Sequence, residues 1–381
     1  MGPLDGVKVV EFAGIGPGPM CCMLLADMGA DVLRIDRTAN VGRDAMEPRF
    51  NTLLRGRPNV AIDLKHDEGL EAALTLCDRA DILIEGFRPG VMERLGLGPE
   101  VVFARNPRIV YGRMTGWGQD GPISHTAGHD INYIALTGAL YAIGSKAAGP
   151  VPPLNLIGDF GGGALYMALG ALAAYIEAQR SGRGQVVDTS MVEGAASLMT
   201  AAYGAQAAGA FVEERESNRL DGGCHHYNTY ETSDGEHICI GSNEPQFYQL
   251  MLETVGLGDA ALPAQADRTH WPMMREKLQA IFKTKTRAEW TDIMQDIDVC
   301  FAPVLRMSEA LEHPQNVHRK SFVELDGVPQ PGPAPRFERT PSDPGTPPAH
   351  AGQDTEQGLA EWGFSADAIE TLLEAGVVRQ A

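Results

Sequence analysis

The sequence predicts an α/β protein: a parallel, doubly wound sheet followed by a smaller α+β unit. Three observations carry this. Short β-branched runs alternate with helical stretches through residues 1–115. The strand candidates are apolar along their whole length, as parallel strands covered on both faces are. Beyond residue 222 the pattern changes to a hairpin, with Asp234-Gly235 at its turn.

In order, residues 7–12, 30–35, 59–64, 81–84 and 109–114 read as strands, and 186–189 as another. Residues 20–28 and 67–79 read as helices; in the second, Leu70, Ala73, Leu74 and Cys77 recur at helical spacing. Residues 159–180 form the longest helical pattern, rich in Ala, Leu and Met, and 191–210 form another Ala-rich one. Strands 227–232 and 237–241 flank the hairpin turn, helices are expected at 245–255 and 273–282, and 300–305 is strand-like. Residues 328–348 are rich in Pro and Gly and read as extended surface chain. A helical pair, 355–362 and 365–375, closes the sequence, with Gly376 as a C-cap.

At 381 residues the chain exceeds the usual single domain, so two are expected. Its formal net charge of -19 repels phosphate backbones and anionic lipid, which argues against nucleic-acid and membrane partners. An anionic ligand must then be held by a local basic cluster. The opening MGPLDGVKVVEF has neither a basic start nor a long apolar run, so no secretory leader is expected and the setting reads as cytoplasmic. The most apolar stretch, 164–176, reads as too short to span a bilayer. The six cysteines show no framework spacing and read as buried, reduced thiols. Cys224-His225-His226 lacks a second ligand pair, so no metal site is expected.

The segment GIGPGP at 14–19 follows the first strand where a dinucleotide fold places its phosphate loop. Met20 stands where the third Gly belongs and two prolines remove backbone donors, so it reads instead as a tight turn near a site. Arg37, Lys65 and Arg88 each follow a strand on the carboxyl edge, where open sheets bind ligands, and Arg94 lies in the next helix. Converging, they suit a multiply phosphorylated ligand; separately, each is a solvated cation. His129 and Asp159 both sit at helix starts, where each has an ordinary explanation as an N-cap, and Glu244 has one as a first-turn acid. Gly161, Gly162 and Gly163 tilt the reading of Asp159 toward a ligand, since they loosen a helix start and expose N–H donors.

Taken in register, PLDGVKVVEFAGIGPGP, GADVLRIDR, AIDLK, EGFRPGVMERLGLG, GRMTGWGQDGP, AGHDINYIALTG, PPLNLIGDFGGG, GRGQVVDTSMVEG, GSNEPQFY and PAPRF resemble the family III (CaiB/BaiF-type) CoA-transferases. The closing GFSADAIETLLEAGVV is similar to that family's tail, and the GHDINY and GDFGGG pair resembles its α-methylacyl-CoA racemase branch. The resemblance covers essentially the whole chain. It implies a large Rossmann-like CoA-binding domain (1–190), a linker helix (191–222), a small domain (223–310), a return linker (311–332) and a C-terminal segment returning to the large domain (333–381). It further implies an interlocked homodimer, with active sites between one subunit's large domain and the other's small domain.

The activity implied is inversion at the α-carbon of 2-methylacyl-CoA thioesters, by two-base proton transfer through an enolate. His129 and Asp159 match the two bases, and Glu244 matches a small-domain carboxylate that pairs with the histidine. Arg37, the run Ile62, Asp63, Leu64 and Lys65, then Gly86, Phe87, Arg88 and Arg94, and the segment Gly128, His129, Asp130, Ile131, Asn132 and Tyr133 match positions that hold coenzyme A. The coenzyme is then part of the acyl-CoA substrate, and no separate cofactor is expected. The helix start at Gly161 to Gly163 is expected to stabilise the enolate oxygen, and its dipole to oppose the basicity of Asp159 unless burial offsets it. The alternative within the family is a CoA-transferase, in which the aspartate matching Asp159 forms an acyl anhydride and no histidine base is needed. A silent CoA-binding protein would have no use for His129, Asp159 and Glu244 together.

Overall fold

The computed structural model describes residues 2–381, which form two compact units. The first comprises the chain up to Thr137, Leu154–Leu198 and Pro314–Ala381; the second comprises Gly138–Pro153 and Met199–His313.

Six parallel strands organise the first unit: β1 (Lys8–Phe12), β2 (Asp31–Asp36), β3 (Asn59–Ile62), β4 (Ile82–Glu85), β5 (Val110–Thr115) and β6 (Val186–Ser190). They lie in the order 3-2-1-4-5-6, the doubly wound arrangement the sequence predicts. The strands are apolar throughout because both faces are covered. Val10, Phe12, Leu33, Ile35, Val60 and Ile62 join one core with helices Asp67–Asp78, Thr355–Glu361 and Ala366–Glu374. Val9, Val32, Ile82 and Ile84 join the other with helices Pro17–Asp27 and Leu165–Ser181. The strand order reverses between β1 and β4, so the chain leaves the sheet in opposite directions there and a crevice opens at their carboxyl ends.

Several elements depart from the sequence reading. Val378–Arg379 adds an antiparallel strand beside β3, fixing the chain end to the sheet. The long helix starts earlier, as a wide π-helical stretch over Leu156–Ala164, and continues as Leu165–Ser181. Phe160 N–H reaches the Asn155 carbonyl five residues back at 3.3 Å. The continuous Leu156–Ser181 is therefore 26 residues long, enough by length and composition to cross a membrane, whereas 164–176 alone reads as too short. Its stripe of Met167, Ala168, Ala171, Ala174 and Ala178 is buried, as in a core helix.

The expected 191–210 helix is broken at Met199 into Met191–Leu198 and Thr200–Ala207, where the chain passes from the first unit to the second. Part of the supposed surface chain at 328–348 is folded: Val328–Pro331 pairs with Phe322–Leu325. Its Gln330 is buried because Arg55 donates to it at 2.9 Å while binding Asp27 at 2.7 Å.

The second unit is built on the predicted hairpin. Tyr227–Glu231 pairs with His237–Gly241, which pairs in turn with Phe301–Pro303, all antiparallel. Gly235 takes φ 80° at the turn, and Thr232 N–H bonds Glu236 O at 2.8 Å. Ile238 and Ile240 pack under Tyr248, Met251, Leu278, Phe282 and Trp290 from three helices, Pro245–Thr254, Trp271–Phe282 and Arg287–Met294. Residues 138–153, read from sequence as part of a 1–190 domain, belong to this unit. The Arg215 guanidinium donates to Tyr141 O at 3.0 Å and Ser145 O at 3.3 Å, and Tyr141 Oη donates to Glu213 O at 3.0 Å. The cysteines are not uniformly buried either: Cys300, just before the strand Phe301–Pro303, is exposed, and Cys239, in the middle of His237–Gly241, is half-buried.

Candidate active site

The crevice at the β1/β4 reversal is a cleft of about 510 Å³. Its floor comes from the loops that follow three strands: Gly14 to Pro19 after β1, Gly86 to Pro89 after β4, and Gly116-Trp117 after β5. Gly128, His129, Tyr133, Asn155 and Asp159 complete the wall. Sequence-predicted residues from distant segments thus meet here: Gly86, Phe87, Arg88, Gly128, His129, Tyr133 and Asp159.

Each is held by local chemistry. His129 is the N-cap residue of the short helix Asp130–Ala135, with its side chain left exposed and its backbone tied down. Its N–H donates to Asn132 Oδ1 at 3.0 Å, and its carbonyl accepts from Asn132 N at 2.8 Å. Tyr133 is buried edge-on against Trp117, ring centroids 4.8 Å apart, with its hydroxyl on the Gly128 carbonyl. The loop after β4 is braced from beneath. Glu85 accepts Phe87 N–H at 2.7 Å and Arg113 Nε at 2.9 Å, and Arg113 reaches Glu93 at 2.7 Å.

Asp159 is not the N-cap its position in the sequence suggests. It lies inside the π-helical stretch, half-buried, and Asn155 Nδ2 donates to its Oδ2 at 3.2 Å. Burial raises its pKa above the ordinary carboxylate value; Asn155 lowers it, the nearby charge of Asp130 raises it, and His129 lowers it. Gly16 explains the glycine in the first loop. It takes φ 68°, and a Cβ there would stand 3.2 Å from Asp159 Oδ2.

The glycine triplet lies inside the π-helical stretch that begins at Leu156, not at the helix start the sequence suggests, and it serves packing. A Cβ on Gly162 would meet Ala195 N at 2.5 Å, and one on Gly194 would meet Gly162 O at 1.9 Å. The two helices cross at backbone contact there, and Gly162 and Gly163 are buried.

The other predicted residues of the first unit do not line the cleft. Ile62 is wholly buried in the core, and Leu64 packs against that core. Asp63 accepts Lys65 N–H at 3.0 Å, leaving the Lys65 side chain exposed on the same sheet edge as the exposed Arg37. Arg94 is exposed, its Nη1 3.3 Å from where a Gly90 Cβ would lie. Asn132 and Ile131 are exposed on the His129 helix, whereas Asp130 is buried. Glu244 stands in the second unit as the N-cap residue of Pro245–Thr254 rather than in its first turn, exposed and with no capping bond from its carboxylate. Asn155 and Trp117 were not singled out from sequence; Asn155 stands four residues before Asp159, a spacing that shares a helix face. No group of three or more His, Cys, Asp or Glu side chains suited to a metal ion occurs among the described residues.

The family model for CoA-transferase family III matches residues 4–355. The chain belongs to that family. It is 47% identical over 372 residues to an α-methylacyl-CoA racemase of Mus musculus, covering 97% of this chain and 96% of that one. It is 42% identical over 381 residues to the protein of the same name from Homo sapiens, with the same shares covered. Among solved structures, a CaiB/BaiF family protein from Brucella suis superposes with a TM-score of 0.82 at 24% identity, covering 95% of this chain and 99% of that one. For this family III member, that likeness establishes the fold.

Proposed function

We propose that this protein is a racemase that inverts the α-carbon of 2-methylacyl-CoA thioesters by proton transfer between two bases. The observation that carries this is the meeting of His129 and Asp159 in one cleft at the sheet's ligand-binding edge, brought there by two separate elements. The racemase names of its 47% and 42% identical relatives point the same way.

Inversion requires one group to take the α-proton and another to deliver one to the opposite face. A positioned acid or base contributes ~10²–10⁴-fold each. His129 has an exposed ring on a fixed backbone, and Asp159 has a carboxyl whose proton affinity is raised chiefly by burial. Each can therefore act as base in one direction and as acid in the other. The developing enolate oxygen needs donors, and Gly161 to Gly163 lie inside a helical stretch that begins at Leu156 rather than in its first turn. Asn132 N–H is already bonded to the His129 carbonyl, so the N–H groups of Asp130 and Ile131, at the start of that helix beside His129, are assigned that role.

Arg88 at the cleft, with Arg37, Lys65 and Arg94 farther along the edge, is assigned the phosphates of coenzyme A. The coenzyme is part of the substrate, and the chemistry calls on no further cofactor. Glu244 is assigned the carboxylate that pairs with His129 on the sequence resemblance alone. A homodimer completes the reading: Leu165, Leu169 and Ile176 share one face of their helix and are 53%, 66% and 52% exposed, an apolar stripe suited to a second copy.

The test is incubation of one epimer of a 2-methylacyl-CoA with the protein and no acceptor acid. Conversion to a mixture of both epimers is the expected result. An Asp159 anhydride trapped by hydroxylamine, with transfer to a free acid and no epimerisation, contradicts the proposal in favour of a transferase.

A further inference from the structure

Asp130 follows His129 directly, yet its side chain turns away from solvent and is 5% exposed. Its Oδ2 accepts the backbone N–H of Asp159 at 2.7 Å, joining segments 29 residues apart. Its Oδ1 is buried without a hydrogen-bond partner. Gly158 lacks a side chain where this contact is made: a Cβ there would lie 2.7 Å from Asp130 Oδ2. A carboxyl buried with one oxygen unsatisfied is costly, and a better-packed neutral residue would relieve that cost. Its retention between two bases calls for an explanation in the chemistry.

We propose that Asp130 is a positioning residue that locks Asp159 to the helix start carrying His129, rather than a contact for the coenzyme. The inference rests on the two-base reading. The peptide bond links Asp130 to one base, and its carboxyl grips the backbone of the other, so the separation of the bases is set through a single side chain. The same carboxyl sets the electrostatics. The groups that bond or act on Asp159 are Asn155, Asp130 and His129; Tyr133 and Arg88 share its cleft, and Gly16 of the loop after β1 faces its carboxyl. Of the two charges beside Asp159, Asp130 favours its protonated form and His129 opposes it.

Two variants separate this role from coenzyme binding. Asp130→Ala removes the grip and should lower kcat by ~10²-fold, the effect of a small misplacement of a reacting group, with KM for the acyl-CoA unchanged. Asp130→Asn keeps the size and an acceptor but not the charge. It should recover most of kcat and displace the acid limb of the rate profile to lower pH, in the direction where Asp159 is the base. Should the alanine variant not fold, the asparagine variant decides alone. A rise in KM with kcat and pH profile intact would show a coenzyme contact and overturn the inference. So would an unshifted acid limb in an asparagine variant that is otherwise active. Wild-type protein that epimerises nothing overturns the two-base reading and this inference with it.

Discussion

The protein contains two conspicuous histidine sites, and they use the same side chain in opposite ways. His129 stands at a helix start in the first unit, exposed to a cleft, with its backbone fixed and its ring free. His225 and His226 lie in the second unit, 1% and 3% exposed, packed edge-on against each other and against Tyr248. His225 Nε2 meets Tyr248 Oη at 2.7 Å, and burial pushes the two pKa values down to about 3 and about 4. Those rings stay neutral across the ordinary range and serve as core. The difference teaches that exposure and partners, not residue type or clustering, decide whether a histidine can move protons. The adjacent pair looks richer in the sequence and is the inert one.

The largest expected effect sharpens that contrast. His129→Ala should reduce epimerisation by ~10²–10⁴-fold while leaving the melting temperature unchanged, since the ring is exposed. His225→Ala should do the reverse. It leaves Tyr248 Oη without its partner at a cost of ~1–3 kcal/mol, read in a denaturant titration, with the kinetics of the folded protein unaltered. If the two variants exchanged phenotypes, the assignment of roles would be wrong.

A smaller effect concerns pH. In the unfolded chain these histidines titrate near ~6.5, whereas in the fold they resist protonation down to about 4 and about 3. Below ~6.5 the unfolded state therefore binds more protons. Their contribution is complete above that pH and is lost as the pH falls toward the folded values. Replacing His226 with Gln should shallow the decline in unfolding free energy between about pH 6.5 and about pH 4 relative to wild type. Parallel declines in both proteins would mean that other groups carry it.

The sheet was legible in the sequence because strands covered on both faces must be apolar at every position, and that pattern is local. His129 and Asp159 were legible through the motifs GHDINY and GDFGGG. What escaped depended on contacts between distant segments. Nothing local shows that Gly16 is kept small by Asp159, or that Gly162 and Gly194 let two helices touch. The hydrogen bond from Asp159 N–H to the Asp130 carboxyl spans 29 residues, so no local pattern shows it. The strand Val378–Arg379 is too short to register as a pattern and exists because β3 offers it an edge.

The central claim is that His129 and Asp159 each serve one face of the α-carbon. Its most direct test is deuterium uptake at Cα in D₂O, followed for each pure epimer with wild type, His129→Ala and Asp159→Asn. Wild type should give both epimers labelled. Each variant should fail to invert, and each should retain slow exchange with a different one of the two epimers. Loss of exchange with the same epimer in both variants, or labelling that persists undiminished without either base, contradicts the account.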